Sequence, residues 1–152
     1  MKTIKLLFFS LMCLTAMNLN AQSYVDLGLS SGTKWKSANE KGFYSYGEAI
    51  STFGNSVPSQ EQWMELRNEC DWTWSGMGYK VVGPNGNSIV LPAAGLRFCS
   101  GGVYIVGTYG YYWSSTPDGS EYAWYLVFNS SAVGMTGDYR CNGQSVRLVQ
   151  GK

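Results

Sequence analysis

The chain has 152 residues, of which 45% are hydrophobic, 15% aromatic and 14% charged, with a formal net charge of +1 and no histidine. This length is typical of one domain with a single core, and a near-neutral charge does not favour binding to nucleic acid or to anionic membranes. The absence of histidine excludes Ser-His-Asp triads, Cys-His pairs and every zinc site that needs an imidazole.

Residues 1–21 have the layout of a secretory signal peptide. Two lysines, Lys2 and Lys5, precede an apolar run that ends at Met17, and the small residue Ala21 ends the segment. The run of roughly a dozen apolar residues is shorter than the about 20 that a membrane span needs. We therefore expect export to the periplasm, the cell surface or the medium, with no membrane span left after cleavage. Cleavage would leave 9 basic and 10 acidic residues, a net charge of −1.

Three cysteines remain in the mature chain, and they are Cys70, Cys99 and Cys141. An oxidising compartment permits one disulfide, and an odd number leaves at least one thiol unpaired, so three pairings are open. One bridge is too few for a disulfide scaffold. The fold therefore has to rest on its apolar and aromatic core.

Two helices are predicted early in the mature chain. The first covers 46–53 and ends at Gly54. The second covers 59–70, because Ser59 can cap it and Gln62, three residues later, completes a capping box. One face of the second helix carries an apolar stripe made of Trp63, Leu66 and Cys70.

Short strands and turns are predicted after Trp74. The segments 79–82 and 88–91 flank Asn85-Gly86, a pair that favours a type I′ hairpin turn. The run 123–128 is apolar throughout, which predicts a central strand covered on both faces. Further strands are predicted at 109–115, 132–139 and 145–149. Two helices followed by antiparallel strands and hairpins make an α+β fold, and no linker or repeat divides residues 22–152.

Several short motifs of the sequence resemble, in their order along the chain, those of a known family. These motifs are Tyr24-Val25-Asp26-Leu27-Gly28-Leu29, Lys34-Trp35, Val57-Pro58-Ser59, Trp72-Thr73-Trp74, Ser88-Ile89-Val90-Leu91-Pro92, Gly110-Tyr111-Tyr112-Trp113, Leu126-Val127-Phe128-Asn129 and Ser145-Val146-Arg147. Together they are similar to the Fibrobacter succinogenes major paralogous domain, which is abundant in exported proteins of gut Bacteroidetes. The resemblance implies a C-type-lectin-like fold whose loop-rich face presents a binding surface.

The chain also departs from that family. Ser37-Ala38-Asn39 stands where members often have a cysteine, so Cys70 lacks its usual partner, and the stretch from Asn39 to Pro58 is short. Calcium-dependent lectins of this fold use a carboxamide or carboxylate beside a proline, together with a Trp-Asn-Asp run. This chain offers only Pro117-Asp118, so we expect neither a metal site nor a cofactor.

Enzymatic activity is not expected. The same broad fold includes the formylglycine-generating enzymes, which implies a catalytic cysteine pair, and Cys99 and Cys141 are the candidates. Without histidine or a basic activator they make a poor redox site, and a structural disulfide or buried thiols are favoured. A carboxylate pair for hydrolysis would need two of ten scattered acids to lie about 5 to 9 Å apart.

Aromatic residues are the strongest functional signal, because they can stack on sugar rings or anchor a protein partner. Four tryptophans lie in strand-like or helical phrases and are predicted to be core: Trp35, Trp63, Trp113 and Trp124. Tyr104, Tyr109 and Tyr111 lie in or beside the glycine-rich stretch 100–110 and are predicted surface residues, and Tyr122 is a weaker candidate.

A second group of candidates lies just before the last predicted strand. Asp138, Tyr139, Arg140 and Cys141 are each reachable from an Asn codon by changing adenines alone, as in C-type-lectin-like proteins that retroelements diversify. The alternative is an ordinary hairpin loop between Gly137 and Gly143. The candidate ligand-binding residues are Tyr109, Tyr111, Asp138, Tyr139, Arg140 and Asn142.

These observations predict an exported, non-catalytic binding or interaction domain that contacts glycan or protein through a loop surface, because loops on a rigid scaffold carry recognition. A diversified surface receptor, a structural subunit of a surface appendage and a formylglycine-generating-like redox enzyme are the alternatives.

Overall fold

The computed structural model describes residues 23–151, and the predicted signal peptide lies outside the described residues. The elements in chain order are β1 Tyr24–Asp26, β2 Lys34–Lys36, α1 Tyr46–Phe53 with a 3-10 turn Gly54–Ser56, α2 Gln60–Glu69, β3 Asp71–Trp74, β4 Gly78–Val82, β5 Ser88–Pro92, β6 Leu96–Arg97, β7 Val103–Tyr104, β8 Gly110–Asp118, β9 Tyr122–Asn129, β10 Ala132–Tyr139 and β11 Val149–Gln150. The fold is mixed α and β, with two short helices and mostly antiparallel sheets, and β1 and β2 precede both helices.

Both helices begin with a capping box. In α2 the Gln62 N–H donates to Ser59 Oγ at 3.2 Å, and the Ser59 N–H donates to Gln62 Oε1 at 2.9 Å, as the spacing predicts. In α1 Ser45 and Glu48 make the same reciprocal pair. These side chains satisfy N–H groups that the first turn of a helix leaves free.

The largest sheet has the order β10-β9-β8 and is antiparallel throughout. Its central strand β9 has no exposed residue, which confirms the prediction of a covered central strand. One face packs on a core that includes Tyr112, Leu126 and Phe128, and the other face packs on Trp113 and Tyr125 with α1. The other sheets are β3-β4-β5, β1-β2-β11 and the short pair β6-β7.

Three of the four predicted core tryptophans are fully buried: Trp35, Trp63 and Trp113. The prediction for Trp124 was wrong, because this side chain is only half-buried. It lies near the start of β9, opposite Gly137, where the partner strand offers no side chain to cover it.

The hairpin of β4 and β5 is present, but its predicted type I′ turn is wrong. That turn needs positive φ at both central residues, and of the pair Asn85-Gly86 only the glycine has one, at 87°. The Gly86 N–H instead bonds the Gly83 carbonyl, around Pro84. Asn85 uses its side chain, which accepts the Asn87 N–H and donates to the Asp26 carbonyl. The turn therefore depends on the side-chain bonds of Asn85.

The predicted strand 145–149 was also wrong, since only Val149 belongs to a strand. Residues 142–149, which we call the C-terminal strap, are all buried. Their backbone bonds go to several partners: Gly143 pairs with Arg97, Gln144 with Tyr44, Ser145 with β8, and the Val146 and Leu148 carbonyls accept from Glu40 and Lys36. A strand needs one continuous neighbour, which this segment lacks.

Candidate functional site

Three tyrosines stack in a column on one face of β8 and β9. The ring centroids of Tyr109 and Tyr111 are 6.0 Å apart at 29°, and those of Tyr111 and Tyr125 are 5.7 Å apart at 16°. Alternation along β8 places the first two on one side, and the pairing of Trp113 with Tyr125 adds the third. We call these three residues the tyrosine platform. The sequence analysis missed Tyr125, although alternation within 123–128 separates it from Leu126 and Phe128.

Two phenols of the platform, Tyr111 and Tyr125, are neutral at physiological pH. Burial, with smaller contributions from Asp138 and Tyr111, raises the pKa of Tyr125 to about 12. Burial also raises the pKa of Tyr111, with smaller contributions from Tyr109 and Asp138. At these two residues the platform therefore offers apolar ring surface and neutral hydroxyl groups, which suit stacking and hydrogen bonding.

Asp138 lies beside the platform and is held by neutral donors. Asn142 Nδ2 donates to both carboxylate oxygens, at 2.9 and 3.1 Å, and Gln144 Nε2 donates to Oδ2 at 2.8 Å. Asn142 is only 7% exposed, and its Oδ1 accepts the Cys99 N–H. Asn142 thus positions Asp138 and does not face solvent. No cation of residues 23–151 forms an ion pair with Asp138.

The other two predicted site residues, Tyr139 and Arg140, lie away from the platform. Tyr139 pairs with Tyr122 and follows Asp138 in β10, so alternation places its side chain on the opposite face of the sheet from Asp138 and the platform. Its ring is half-exposed and packs on that of Tyr122 at 4.6 Å. Arg140 donates to the carbonyls of Tyr122 and Gly119 and lies 4.8 Å from the centroid of the Tyr46 ring. The structure therefore groups Tyr109, Tyr111, Asp138 and Asn142, but not Tyr139 and Arg140.

Residues 96–106 form an exposed hairpin that is rich in apolar side chains, and we call it the apolar hairpin. Five of its side chains are between 42% and 60% exposed: Phe98, Val103, Tyr104, Ile105 and Val106. No charged residue occurs from 98 to 117. The exposure of Tyr104 confirms its predicted place at the surface.

Two features hold the apolar hairpin in shape. Cys99 forms a disulfide with Cys141, which ties the hairpin to the residue before the C-terminal strap. Ile105 has a φ of 53°, an unfavourable conformation for a β-branched residue, and its carbonyl accepts the N–H groups of Thr108 and Tyr109. Backbone strain of this kind persists only where surrounding contacts impose it, and it clusters at functional sites.

A cleft of about 250 Å³ lies between the platform and the start of β10. Tyr109, Val127, Ala132 and Gly134 line it, and a Cβ added at Gly134 would meet nothing within 4 Å. A larger open cleft of about 510 Å³ lies between the β1–β2 loop and residues 150–151. Its lining has no aromatic residue and none of the predicted site residues.

Cys70, the one cysteine of residues 23–151 outside the disulfide, is buried. Burial, with smaller contributions from the carboxylates of Glu69, Asp71 and Glu65, raises its pKa to about 11. The thiolate is the reactive form of cysteine, so this group stays protonated at neutral pH. Within residues 23–151 no group of three or more acids and cysteines is placed to hold a metal ion, and no helix is long and apolar enough to cross a membrane.

Comparison with known proteins gives one match. A family model described as a domain of unknown function (DUF8237) matches residues 59–149, from the cap of α2 to β11. The matched region includes the tyrosine platform, the apolar hairpin, the cleft and β10. No curated protein and no solved structure matches the chain.

Proposed function

The chain belongs to the DUF8237 family of domains of unknown function, and we propose that it is an exported, non-catalytic binding domain of C-type-lectin-like architecture. It contacts a glycan or a protein through the apolar hairpin and the tyrosine platform. The order of motifs shared with the Fibrobacter succinogenes major paralogous domain supports this architecture. The two early helices and the antiparallel sheet support it as well.

The observation that carries the proposal is the exposed apolar surface of the hairpin. Five large apolar side chains lie within nine residues, with no charge among them. Contiguous exposed apolar patches on water-soluble domains mark interaction sites. Because the disulfide and the local backbone bonds fix this hairpin before binding, little conformational entropy is lost when a ligand docks.

The platform adds the chemistry of sugar recognition. Tyr109 lies at one end of the stacked column and lines the cleft, so a ligand ring placed there extends the stack. The cleft of about 250 Å³ is smaller than the roughly 300–1,000 Å³ of typical small-molecule sites. It therefore suits a single ring of a larger ligand.

Several observations support binding over catalysis and over sequence diversification. Cys99 and Cys141 are joined in a disulfide and Cys70 is a buried, protonated thiol, so no reactive cysteine faces the platform. Asp138, Arg140 and Asn142 each make two or more hydrogen bonds within the chain. Free variation at these positions would break those bonds, which supports the interpretation of 138–142 as an ordinary structured loop.

The test is binding of residues 22–152 to a glycan array and to immobilised mucin, which presents both glycan and protein. The Val103→Thr, Tyr104→Thr double variant should lose at least about tenfold in affinity, because side chains at the centre of a patch dominate binding. Met64→Gln is the matched control, since it removes an apolar side chain that is 41% exposed on α2. Equal binding by the double variant, or no binding by the wild type to either surface, would refute the proposal.

A further inference from the structure

Strand β10 is an open edge of the largest sheet. All eight of its residues pair with β9 in continuous register, from Ala132 opposite Asn129 to Tyr139 opposite Tyr122. Among the described residues, no hydrogen bond from outside β9 reaches the backbone of 133–138. In an antiparallel pair, alternate residues direct their N–H and C=O groups away from the neighbour. The outer side of β10 therefore presents a row of free donors and acceptors.

The first six residues of this edge, 132–137, carry none of the usual protection. Edge strands in natural proteins are kept short, bear charges or prolines, or contain bulges. The other uncovered strands that end a sheet in the described chain have five residues or fewer. Residues 132–137 contain neither a charge nor a proline, and the ladder with β9 has no register shift. An open, flat edge of this length is suited to pairing with another strand.

The cleft beside this edge is placed to take a side chain from an added strand. Residues opposite each other in antiparallel strands share a face of the sheet. A residue opposite Gly134 would therefore share a face with Val127, which pairs with Gly134 and lines the cleft together with Tyr109. Gly134 has no side chain to fill this space, so a ring from the partner can enter it.

Charge specifies a second position of the partner. Asp138 shares this face of β10 four residues after Gly134, and no cation in the described chain pairs with it. A lysine or arginine on the added strand opposite Asp138 would supply the missing positive charge. Because an antiparallel partner runs in the reverse direction, this basic residue comes four positions before the ring that faces Gly134.

We propose that β10 accepts an extended peptide segment of another protein as a fourth, antiparallel strand. An apolar ring of that segment occupies the cleft over Gly134, and a basic residue four positions earlier faces Asp138. A second copy of this chain is a poorer occupant, because β10 contains no Lys or Arg to place opposite Asp138. This strand addition uses the cleft to which the proposed function assigns a ligand ring, but it does not involve the apolar hairpin and does not depend on ligand binding there. Backbone bonds supply the affinity and the two side chains supply the selectivity.

The probe is an acetylated, amidated octapeptide of alternating threonine and valine that carries a lysine four residues before a phenylalanine, with a fluorescent label. Fluorescence polarisation should show saturable binding to residues 22–152. Replacing the phenylalanine by alanine, or the lysine by glutamate, should each weaken binding by about tenfold. Methylating the backbone nitrogens on either alternate set should leave at most one of the two methylated peptides able to bind, because only one set faces β10.

Gly134→Leu is the decisive protein variant. A Cβ added at Gly134 meets nothing within 4 Å, so the leucine side chain has room to extend into the cleft. The variant should therefore fold and should bind the phenylalanine and alanine peptides equally. Gly47→Ala, another glycine with open space at its Cβ but on α1, is the control and should keep the tenfold preference.

Three results would overturn the proposal: undiminished binding by both methylated peptides, an unchanged preference for phenylalanine in Gly134→Leu, or absence of binding at millimolar peptide. A dimer of the free protein that the peptide does not dissociate would assign the edge to a second copy and would also refute it. Because the apolar hairpin is not involved, the Val103→Thr, Tyr104→Thr variant should bind the octapeptide as the wild type does.

Discussion

The two edges of the largest sheet are treated in opposite ways. The outer side of β8 is covered by the chain itself: Ser145 in the C-terminal strap donates to the Tyr111 carbonyl and accepts from Trp113, and Gly95 donates to Tyr109. The outer side of β10 has no such cover among the described residues. The bonds at the β8 edge therefore stabilise the domain, whereas the β10 edge is available for recognition.

The cover on β8 shows that an irregular segment can bond several elements of the fold. The residues of the C-terminal strap bond several separate parts of the chain, so the strap joins β2, β6, β8 and Tyr44, which precedes α1, at once. A regular strand would have sealed β8 but would not have reached the other elements.

The largest effect is expected at Arg147, the buried cation of the strap. The residue is 1% exposed, and its guanidinium donates to Asn39 Oδ1 and to the carbonyls of Lys36 and Val90. Burial lowers its pKa to about 10, so it still carries its charge at neutral pH. Arg147→Ala should lower the free energy of unfolding by about 3–5 kcal/mol, because it leaves one buried and two partly buried acceptors without their donor, and a cavity.

Urea unfolding measures this loss. Arg67→Ala, on the exposed face of α2, is the control and should change stability by less than about 0.5 kcal/mol. If both variants unfolded at the same urea concentration, the strap would not hold the sheet together as described.

The next effect is expected from the disulfide, which anchors the start of the strap to the apolar hairpin. Cys99 and Cys141 are 42 residues apart in sequence. The double variant Cys99→Ala, Cys141→Ala should lose about 2–4 kcal/mol of stability, chiefly because the unfolded chain gains freedom. Thermal unfolding with and without reductant checks this, since reductant should destabilise the wild type and leave the double variant unchanged. An equal response of both proteins to reductant would contradict the role of this bond.

Substitutions at two glycines, one in each edge strand, allow the stability effects at the two edges to be compared directly. Gly110 in β8 lies against Phe128, and an added Cβ there would overlap that ring, whereas Gly134 in β10 faces open space. Gly110→Val should therefore cost about 1–3 kcal/mol by overpacking. Gly134→Val should stabilise by about 0.5–1 kcal/mol, because glycine is unfavourable inside a strand. Unfolding midpoints that shift in the same direction for both variants would refute the contrast.

Local sequence signals predicted the elements whose stability is mainly local. A capping box and apolar spacing located α2, the stop at Gly54 marked the end of α1, the apolar run identified β9, and the predicted bounds 132–139 of β10 are confirmed. The strap escaped prediction because its apolar content resembles a strand while its partners lie far apart in sequence. The same applies to Tyr125, since only the register of β8 and β9 shows that it joins Tyr111. Arg147 entered the sequence analysis only as part of the motif Ser145-Val146-Arg147, and its burial was not predicted, because a buried arginine bonded to neutral oxygens looks like a surface charge in sequence.

The smallest effect is expected from acid, at the contact between α1 and the flank of the strap. The Ser45 backbone N–H lowers the pKa of Glu48 below 4.5, and Arg97 contributes less, at 3.6 Å. Arg97 in turn pairs through its backbone with Gly143 of the strap.

A carboxyl group whose pKa is lower in the folded state stabilises the fold at pH values above its unfolded-state pKa. This stabilisation is lost as the pH falls through the folded-state pKa. Glu48→Gln keeps a capping amide but removes the charge. Thermal unfolding should therefore find this variant slightly less stable than the wild type at pH 7 and equal to it near pH 2. A difference that persisted in acid would mean that the carboxylate charge is not what fastens α1 beside the sealed edge.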